Sequence, residues 1–270
     1  MTRSRPSRRR LALALAALPA LAWAGASAGL WWGQEKLLFH PEPLPADTPL
    51  ATEADVHESV VDVPGARLSV LALRLPEPRG VVFYLHGNAG NLKSWFVNTE
   101  FYRRTGYDLV MPDYRGFGKS TGRIDAEAQL HADAAAVWRS VAPRYAGKRI
   151  VIVGRSLGTG LAARLAADVQ PDLTVLVSPY ASIAGLAREH YPWLPAWAVR
   201  YPLRTDLVVP RLHGPLLLLH GDADAVIPFA ESEKLRAAQP HAQLVRVAGA
   251  GHGDVHHFPA YQQALAEALR

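Results

Sequence analysis

From Gly80 to the C-terminus the chain alternates short, continuously apolar runs with longer segments of helical pattern, and nothing else in it narrows the fold as far. "GVVFYLHG", "YDLVMPD", "KRIVIVG", "LTVLVSP", "LLLLHG" and "AQLVRVAG" read as strands. Helices are expected between and after them, over 92–106 (closed by Gly106), Asp125–Tyr145, Leu157–Asp168, Ala230–Ala238 and Val255–Arg270. Strands apolar at every position leave no face for water. Separated by helices, they predict an α/β fold whose mostly parallel central sheet is covered by helices on both faces. Upstream, "VHESVVDV" and "RLSVLALRL", split by "PGA", predict an N-terminal β-hairpin.

The charge balance removes one class of partner. Arg3, Arg5, Arg8, Arg9 and Arg10 account for the whole excess of 29 Lys and Arg over 24 Asp and Glu. The folded part is therefore near neutral and carries no basic face for nucleic acid. With no cysteine, thiol nucleophiles, thiolate metal sites and disulfides are excluded.

The segments before the hairpin divide into a basic stretch, 1–10, an uncharged hydrophobic stretch, 11–32, and a Pro-rich connector, 33–55, with the α/β domain expected over 56–270. Twenty-two helical residues reach about 33 Å, enough for a bilayer core of about 30 Å. Trp31 and Trp32 would then sit at an interface. A signal peptide is the alternative, with "AWA" at 22–24 and "ASA" at 26–28 as cleavage sites. Either way the basic flank directs the domain to the non-cytoplasmic side, membrane-anchored in the first case and secreted or periplasmic in the second.

In doubly covered parallel sheets the functional crevice lies beyond the carboxyl ends of the strands. Polar residues collect at those ends here: His86, Asn88, Asp113, Ser156, Ser178, His220, Asp222, Asp224 and His252. At one of them "RIVIVGRSLGTGLAARLAAD" passes from strand to helix through Gly154-Arg155-Ser156-Leu157-Gly158. This is the G-x-S-x-G pattern of a nucleophile elbow, which holds a serine hydroxyl above the sheet on a strained turn. It also leaves the Leu157 amide free at a helix start to face a developing oxyanion. Gly158-Thr159-Gly160 echoes a dinucleotide fingerprint but begins inside the helix, and no acidic residue ends the next strand.

A serine hydroxyl needs a base, and the elbow expects acid and histidine downstream in that order. "HGDADAVIP" offers Asp222 and Asp224; Asp224 lies further into the loop, and Asp222 reads as a turn former. "GAGHGD" offers His252 in a glycine-lined loop after the last strand. In "LHGNAGN" the Asn88 amide is the expected second oxyanion donor, with Ala89 as the fallback, while His86 and His220 read as residues that shape their turns.

Together "HGNAGN", "DYRGFGKSTG", "GRSLGTG", "HGDADAVIP" and "GAGHGD" resemble the α/β-hydrolase superfamily, in particular its membrane-anchored abhydrolase-domain serine hydrolases. The likeness extends from about Gln34 to the C-terminus. It implies Ser156 as nucleophile, Asp224 as acid, His252 as base and Asn88 with Leu157 as oxyanion hole. No cofactor is implied. The implied activity is hydrolysis of an ester or thioester of an acyl or lipid-like molecule.

Residues 181–214, with "EHYPWLPAWAVRYP", sit where such enzymes carry a cap, so Tyr180, Trp193 and Trp197 are candidate substrate contacts. Tyr114, Arg115 and Phe117 are candidates to line the site from a structural turn. Metal-dependent hydrolysis through His252, Asp254, His256 and His257, and a catalytically silent scaffold, are the competing classes; the first leaves the elbow unexplained, and the intact Ser-Asp-His order argues against the second.

Overall fold

The computed structural model describes residues 8–270, with side chains from residue 17. Of the expected basic segment 1–10, residues 1–7 lie outside the described residues.

Eight strands form one sheet: β1 Val56–Val63, β2 Ala66–Leu73, β3 Gly80–Leu85, β4 Tyr107–Pro112, β5 Arg149–Arg155, β6 Leu173–Val177, β7 Leu216–Gly221 and β8 Gln243–Val247. Their order is β8-β7-β6-β5-β3-β4-β2-β1. The β1–β2 hairpin and the β2–β4 contact are antiparallel, and every other pairing is parallel. Each parallel neighbour requires a crossover, supplied by helices long enough to cover the sheet.

The helices longer than four residues are α1 Arg8–Leu38, α2 Thr99–Thr105, α3 Glu127–Val141, α4 Gly158–Val169, α5 Ile183–His190, α6 Ala230–Ala238 and α7 Pro259–Ala268. Side chains alternate across each strand, which divides the core in two. Val81, Phe83, Leu85, Ile152, Leu176 and Leu218 pack with α3 and α4 residues such as Val137 and Leu161 on one face. Val82, Tyr84, Val153, Val177 and Leu219 pack with Tyr102 of α2 and Tyr261 and Leu265 of α7 on the other.

Several elements are shorter than the sequence pattern indicates. The helix expected over 92–106 is a single turn at Leu92–Trp95 followed by α2, and Asn98 between them has a left-handed φ of 58°. Asn tolerates that conformation where most residues do not. Its C-terminal end at Gly106, φ 76°, is as expected. The last helix starts at Pro259, because proline accepts a helix N-terminus and refuses an interior.

The hydrophobic stretch is helical, but α1 continues to Leu38, six residues past its expected end at 32. Its C-terminal half is docked on the domain. Gln34 Nε2 donates to the Ala198 carbonyl (2.6 Å) and Gln34 Oε1 accepts the Arg200 amide (2.8 Å). Tyr201 donates to Glu35 (2.8 Å), and the Arg200 guanidinium lies 4.6 Å from the Trp31 ring centroid. Trp31 therefore packs on protein, whereas the expectation put it at a membrane interface; Trp32 is exposed. Among the described residues, no helix is long and apolar enough to cross a membrane.

The "DYRGFGKS" turn packs inward. Arg115 makes a two-pronged pair with Asp133 of α3, including Nη2 to Oδ1 at 2.8 Å, and donates to the Pro64 carbonyl (2.9 Å). Phe117 is fully buried.

Candidate active site

Three side chains from widely separated segments meet above the carboxyl end of the sheet. His252 Nε2 lies 2.9 Å from Ser156 Oγ, and His252 Nδ1 lies 2.7 Å from Asp224 Oδ2. An ionised carboxylate only accepts, so Asp224 fixes the imidazole proton on Nδ1. Nε2 then faces the serine hydroxyl as an acceptor. This is the arrangement a proton-abstracting base requires.

Local structure explains why each group is where it is. Ser156 has φ 51°, a left-handed conformation that L residues adopt at a cost of about 1–2 kcal/mol. Its amide donates to Val177 O of the neighbouring strand at 2.9 Å, which anchors the turn. The flanking glycines are obligatory: a Cβ on Gly158 would overlap the Leu85 and His86 carbonyls, and one on Gly154 would overlap Gly158 and Ala162.

Asp224 is buried, and its Oδ1 accepts the amides of Val226 (2.9 Å) and Ile227 (2.8 Å). Burial by itself would raise its carboxyl. Hydrogen bonds from His220, His252 and the Ile227 amide outweigh burial and hold it well below the usual carboxylate range. His220 closes that loop: its ring bonds Ser232 Oγ (2.7 Å) and the Ile227 carbonyl (2.9 Å). Asp222, by contrast, accepts the Gly249 amide at 2.7 Å in an exposed turn.

Neither the Leu157 amide nor the Asn88 amide is engaged by another group among the described residues. The Asn88 segment is held from the opposite side by the end of α1. Asn88 Nδ2 donates to Leu38 O (3.0 Å), and Asn88 O accepts the His40 amide (2.7 Å). His86 sits beneath this segment, its Nδ1 2.8 Å from Gly87 O and its ring against Tyr114 and Trp95. Asp113 Oδ1 lies 3.3 Å from His86 Nε2, both fully buried. Tyr114 donates to the His86 carbonyl (2.7 Å), bracing the segment without lining the site.

A cavity of about 590 Å³ opens beside Ser156. Tyr84 and Met111 from the sheet, Phe101 and Tyr102 from α2, and Tyr261 and Leu265 from α7 line it, with Asn88, Arg155 and His252 at the reacting end. Burial pushes the Tyr84, Tyr102 and Tyr261 hydroxyls up; Glu42, Glu100 and Arg104 also line the cavity.

The cavity lies on the α2/α7 side of the sheet, away from residues 181–214. Of the three aromatic residues expected to contact substrate, none lines it. Tyr180 is fully buried, donating to the Leu157 carbonyl at 2.9 Å. Trp193 and Trp197 are exposed. The insertion instead packs on α1 and α4, and Trp23 Nε1 donates to the Trp193 carbonyl (2.9 Å). Tyr114, Arg115 and Phe117 are also absent from the cavity wall.

The cluster weighed as a metal site has its donors committed elsewhere. His252 engages Ser156 and Asp224, Asp254 accepts the Gly251 amide (2.7 Å), and His256 Nδ1 accepts from Arg155 (3.1 Å). Among the described residues no group of three or more such side chains is placed to hold a metal ion.

Comparison with known proteins bears on the family and the fold. Residues 76–205 match the family described as serine aminopeptidase, S33. The chain is 33% identical over 257 residues to the Mycobacterium tuberculosis protein MT2364, covering 90% of this chain and 89% of that one. It is 31% identical over 194 residues to the lysophosphatidylserine lipase ABHD12 of Macaca fascicularis, a match covering 64% of this chain and 48% of that protein. Among solved structures, the Pyrococcus furiosus esterase Pf2001 superposes with a TM-score of 0.66 at 21% identity, covering 86% of this chain and 97% of that one. The chain belongs to the α/β-hydrolase superfamily and resembles its abhydrolase-domain proteins. It is an esterase-like serine hydrolase.

Proposed function

We propose that the protein cleaves carboxylic esters or thioesters of acyl, lipid-like molecules through Ser156, His252 and Asp224. The observation that carries this reading is the unbroken chain from Ser156 Oγ through the His252 ring to Asp224, with spans of 2.9 and 2.7 Å. His252 Nε2 takes the hydroxyl proton as Ser156 Oγ attacks the carbonyl carbon. The free amides of Leu157 and Asn88 receive the developing oxyanion, each contributing about 2.7–4 kcal/mol. The imidazolium, stabilised by Asp224, then protonates the leaving group. Water, deprotonated by the same imidazole, attacks the acyl-Ser156 ester and regenerates the hydroxyl.

The apolar part of the cavity wall, formed by Phe101, Leu109, Met111 and Leu265 among polar and charged neighbours, supports an acyl chain as the group bound beside the nucleophile. The ABHD12 relative, a lysophosphatidylserine lipase, points the same way. Attachment to a membrane, with the domain on the non-cytoplasmic side, rests on the uncharged stretch 11–32 and the arginines before it. Exposed Leu18, Leu21 and Trp23 on α1 add to it. Retention in the membrane fraction under alkaline carbonate, with an uncleaved N-terminus, is the expected result.

The test of the activity is hydrolysis of 4-nitrophenyl esters of rising chain length by purified protein, with and without chelator. Activity insensitive to chelator and rising from acetate to octanoate is expected. Inactivation by chelator would replace the reading with the metal-dependent one. Filling the cavity with Leu265→Trp is expected to lower kcat/KM for octanoate at least about tenfold relative to acetate. Equal effects on both esters would move the acyl chain elsewhere.

A further inference from the structure

Arg155, the residue before Ser156, ends strand β5, and it is buried. Its side chain does not turn back into its own neighbourhood. Nη2 donates to the carbonyls of His252 (3.0 Å) and Gly253 (3.1 Å), and Nη1 donates to Nδ1 of His256 (3.1 Å). The guanidinium carbon lies 5.2 Å from the Trp95 ring centroid, which backs the group from below. Among the described residues it has no carboxylate partner, so its charge is directed to neutral acceptors on one loop. His256 suits that role: burial, aided by the Arg155 charge, pushes its imidazole down to about 4, which keeps Nδ1 a free acceptor at neutral pH.

The loop that Arg155 holds is tied upstream, where Gly249 N donates to Asp222 Oδ1 (2.7 Å) and Ala250 O accepts the Ala223 amide (3.1 Å), but among the described residues not at His252 and Gly253 themselves apart from Arg155. Gly249, Gly251 and Gly253 surround His252, and glycine leaves the backbone the widest conformational freedom. Gly251 N bonds Asp254 within the loop, but no other hydrogen bond connects the His252 or Gly253 backbone to another element among the described residues. The ring of His252 reaches Ser156 and Asp224 only while that backbone stays in place. A planar fork holds two adjacent carbonyls and an imidazole in fixed directions from separate nitrogens; an ammonium has three donors on one rotating nitrogen and imposes no such geometry.

We propose that Arg155 is a positioning residue for the hydrolytic reaction: its guanidinium clamps the His252 loop to the nucleophile elbow and so fixes the imidazole against the Ser156 hydroxyl. Because Arg155 and Ser156 are adjacent on one strand end, the base is registered directly to the nucleophile it serves. The inference rests on the reading of Ser156 and His252 as nucleophile and base. A displacement of about 1 Å between reacting groups can cost about a hundredfold in rate, so the clamp acts on kcat.

The experiment compares native protein, Arg155→Met and Arg155→Lys on 4-nitrophenyl acetate, a neutral ester, together with amide hydrogen exchange across residues 249–258. For Arg155→Met a fall in kcat of about 10–100-fold is expected, with KM within threefold of native and faster exchange confined to that loop. Arg155→Lys retains stem and charge but not the fork, and is expected to recover less than half of the lost kcat on a logarithmic scale. If Arg155→Met does not fold, the lysine variant decides: lowered kcat at an unchanged melting temperature supports the clamp, and native kcat overturns it. Native kcat and native loop exchange in Arg155→Met also overturn it. The variants are also assayed on an anionic ester, 4-nitrophenyl hemisuccinate, and a rise in KM confined to it, with native kcat on the acetate, likewise overturns the clamp by making Arg155 a receptor for substrate charge. A native protein inactive on every ester defeats the hydrolase reading instead, and loop exchange in the variants still reports whether Arg155 holds the loop.

Discussion

Ser156→Ala is expected to lower kcat for ester hydrolysis by about 10⁴–10⁶-fold while leaving the fold intact. The substitution removes the hydroxyl that lies 2.9 Å from the base and leaves the Leu157 and Asn88 amides in place. What remains is attack by water in a site that still binds and polarises a carbonyl. Alanine keeps the φ of 51° as strained as serine does, so the melting temperature should shift by no more than a few degrees. Steady-state turnover of 4-nitrophenyl acetate and a thermal melt check the two halves. Retention of more than a hundredth of native kcat would assign the chemistry to another group.

The second large effect is that of Asp224→Asn, for which a fall in kcat of about 10⁴-fold is expected at neutral pH. Asparagine matches aspartate in size, and its carbonyl oxygen can still accept from Val226 and Ile227, so the loop keeps its shape. Its NH₂ group, however, faces His252 Nδ1 as a donor. The imidazole proton is then forced to Nε2, where it points at Ser156 and leaves no base. The same variant tests linkage. The native carboxyl is held below its ordinary 3.8, so it stabilises the fold above that value, and this contribution is lost as pH falls toward the native value. Chemical denaturation at descending pH should show native stability declining below about pH 4. The decline should be shallower in Asp224→Asn. A kcat within tenfold of native would contradict the assigned role of the carboxylate.

How much of this could be read in advance differs from residue to residue. The sheet was legible because β3 through β7 are apolar on both faces, a pattern that only a doubly covered parallel sheet satisfies. Ser156, Asp224 and His252 were nominated from chain order and turn chemistry, and the three side chains meet in space. The cavity was not legible for the same reason that the sheet was. Tyr84, Leu109 and Met111 look no different in sequence from Val81 and Phe83, although one set faces a void and the other a filled core. Aromatic density in the insertion drew attention to Trp193 and Trp197, yet those residues are exposed next to α1. Nor does composition mark where a hydrophobic helix begins to dock: Gln34 and Glu35 look like the polar end of an apolar stretch but bond Ala198, Arg200 and Tyr201. Arg155 occupies the free position of the elbow pattern. Its role depends on acceptors nearly a hundred residues downstream, and no local signal reports them.

The central claim is that one hydroxyl is made nucleophilic by one imidazole. Labelling purified protein with a fluorophosphonate, followed by peptide mapping, tests it most directly, since the reagent bonds only to an activated serine. A single adduct on Ser156, formed at least about a hundredfold more slowly in His252→Ala, is predicted. An adduct on another serine, or labelling of Ser156 at an undiminished rate without His252, would contradict it.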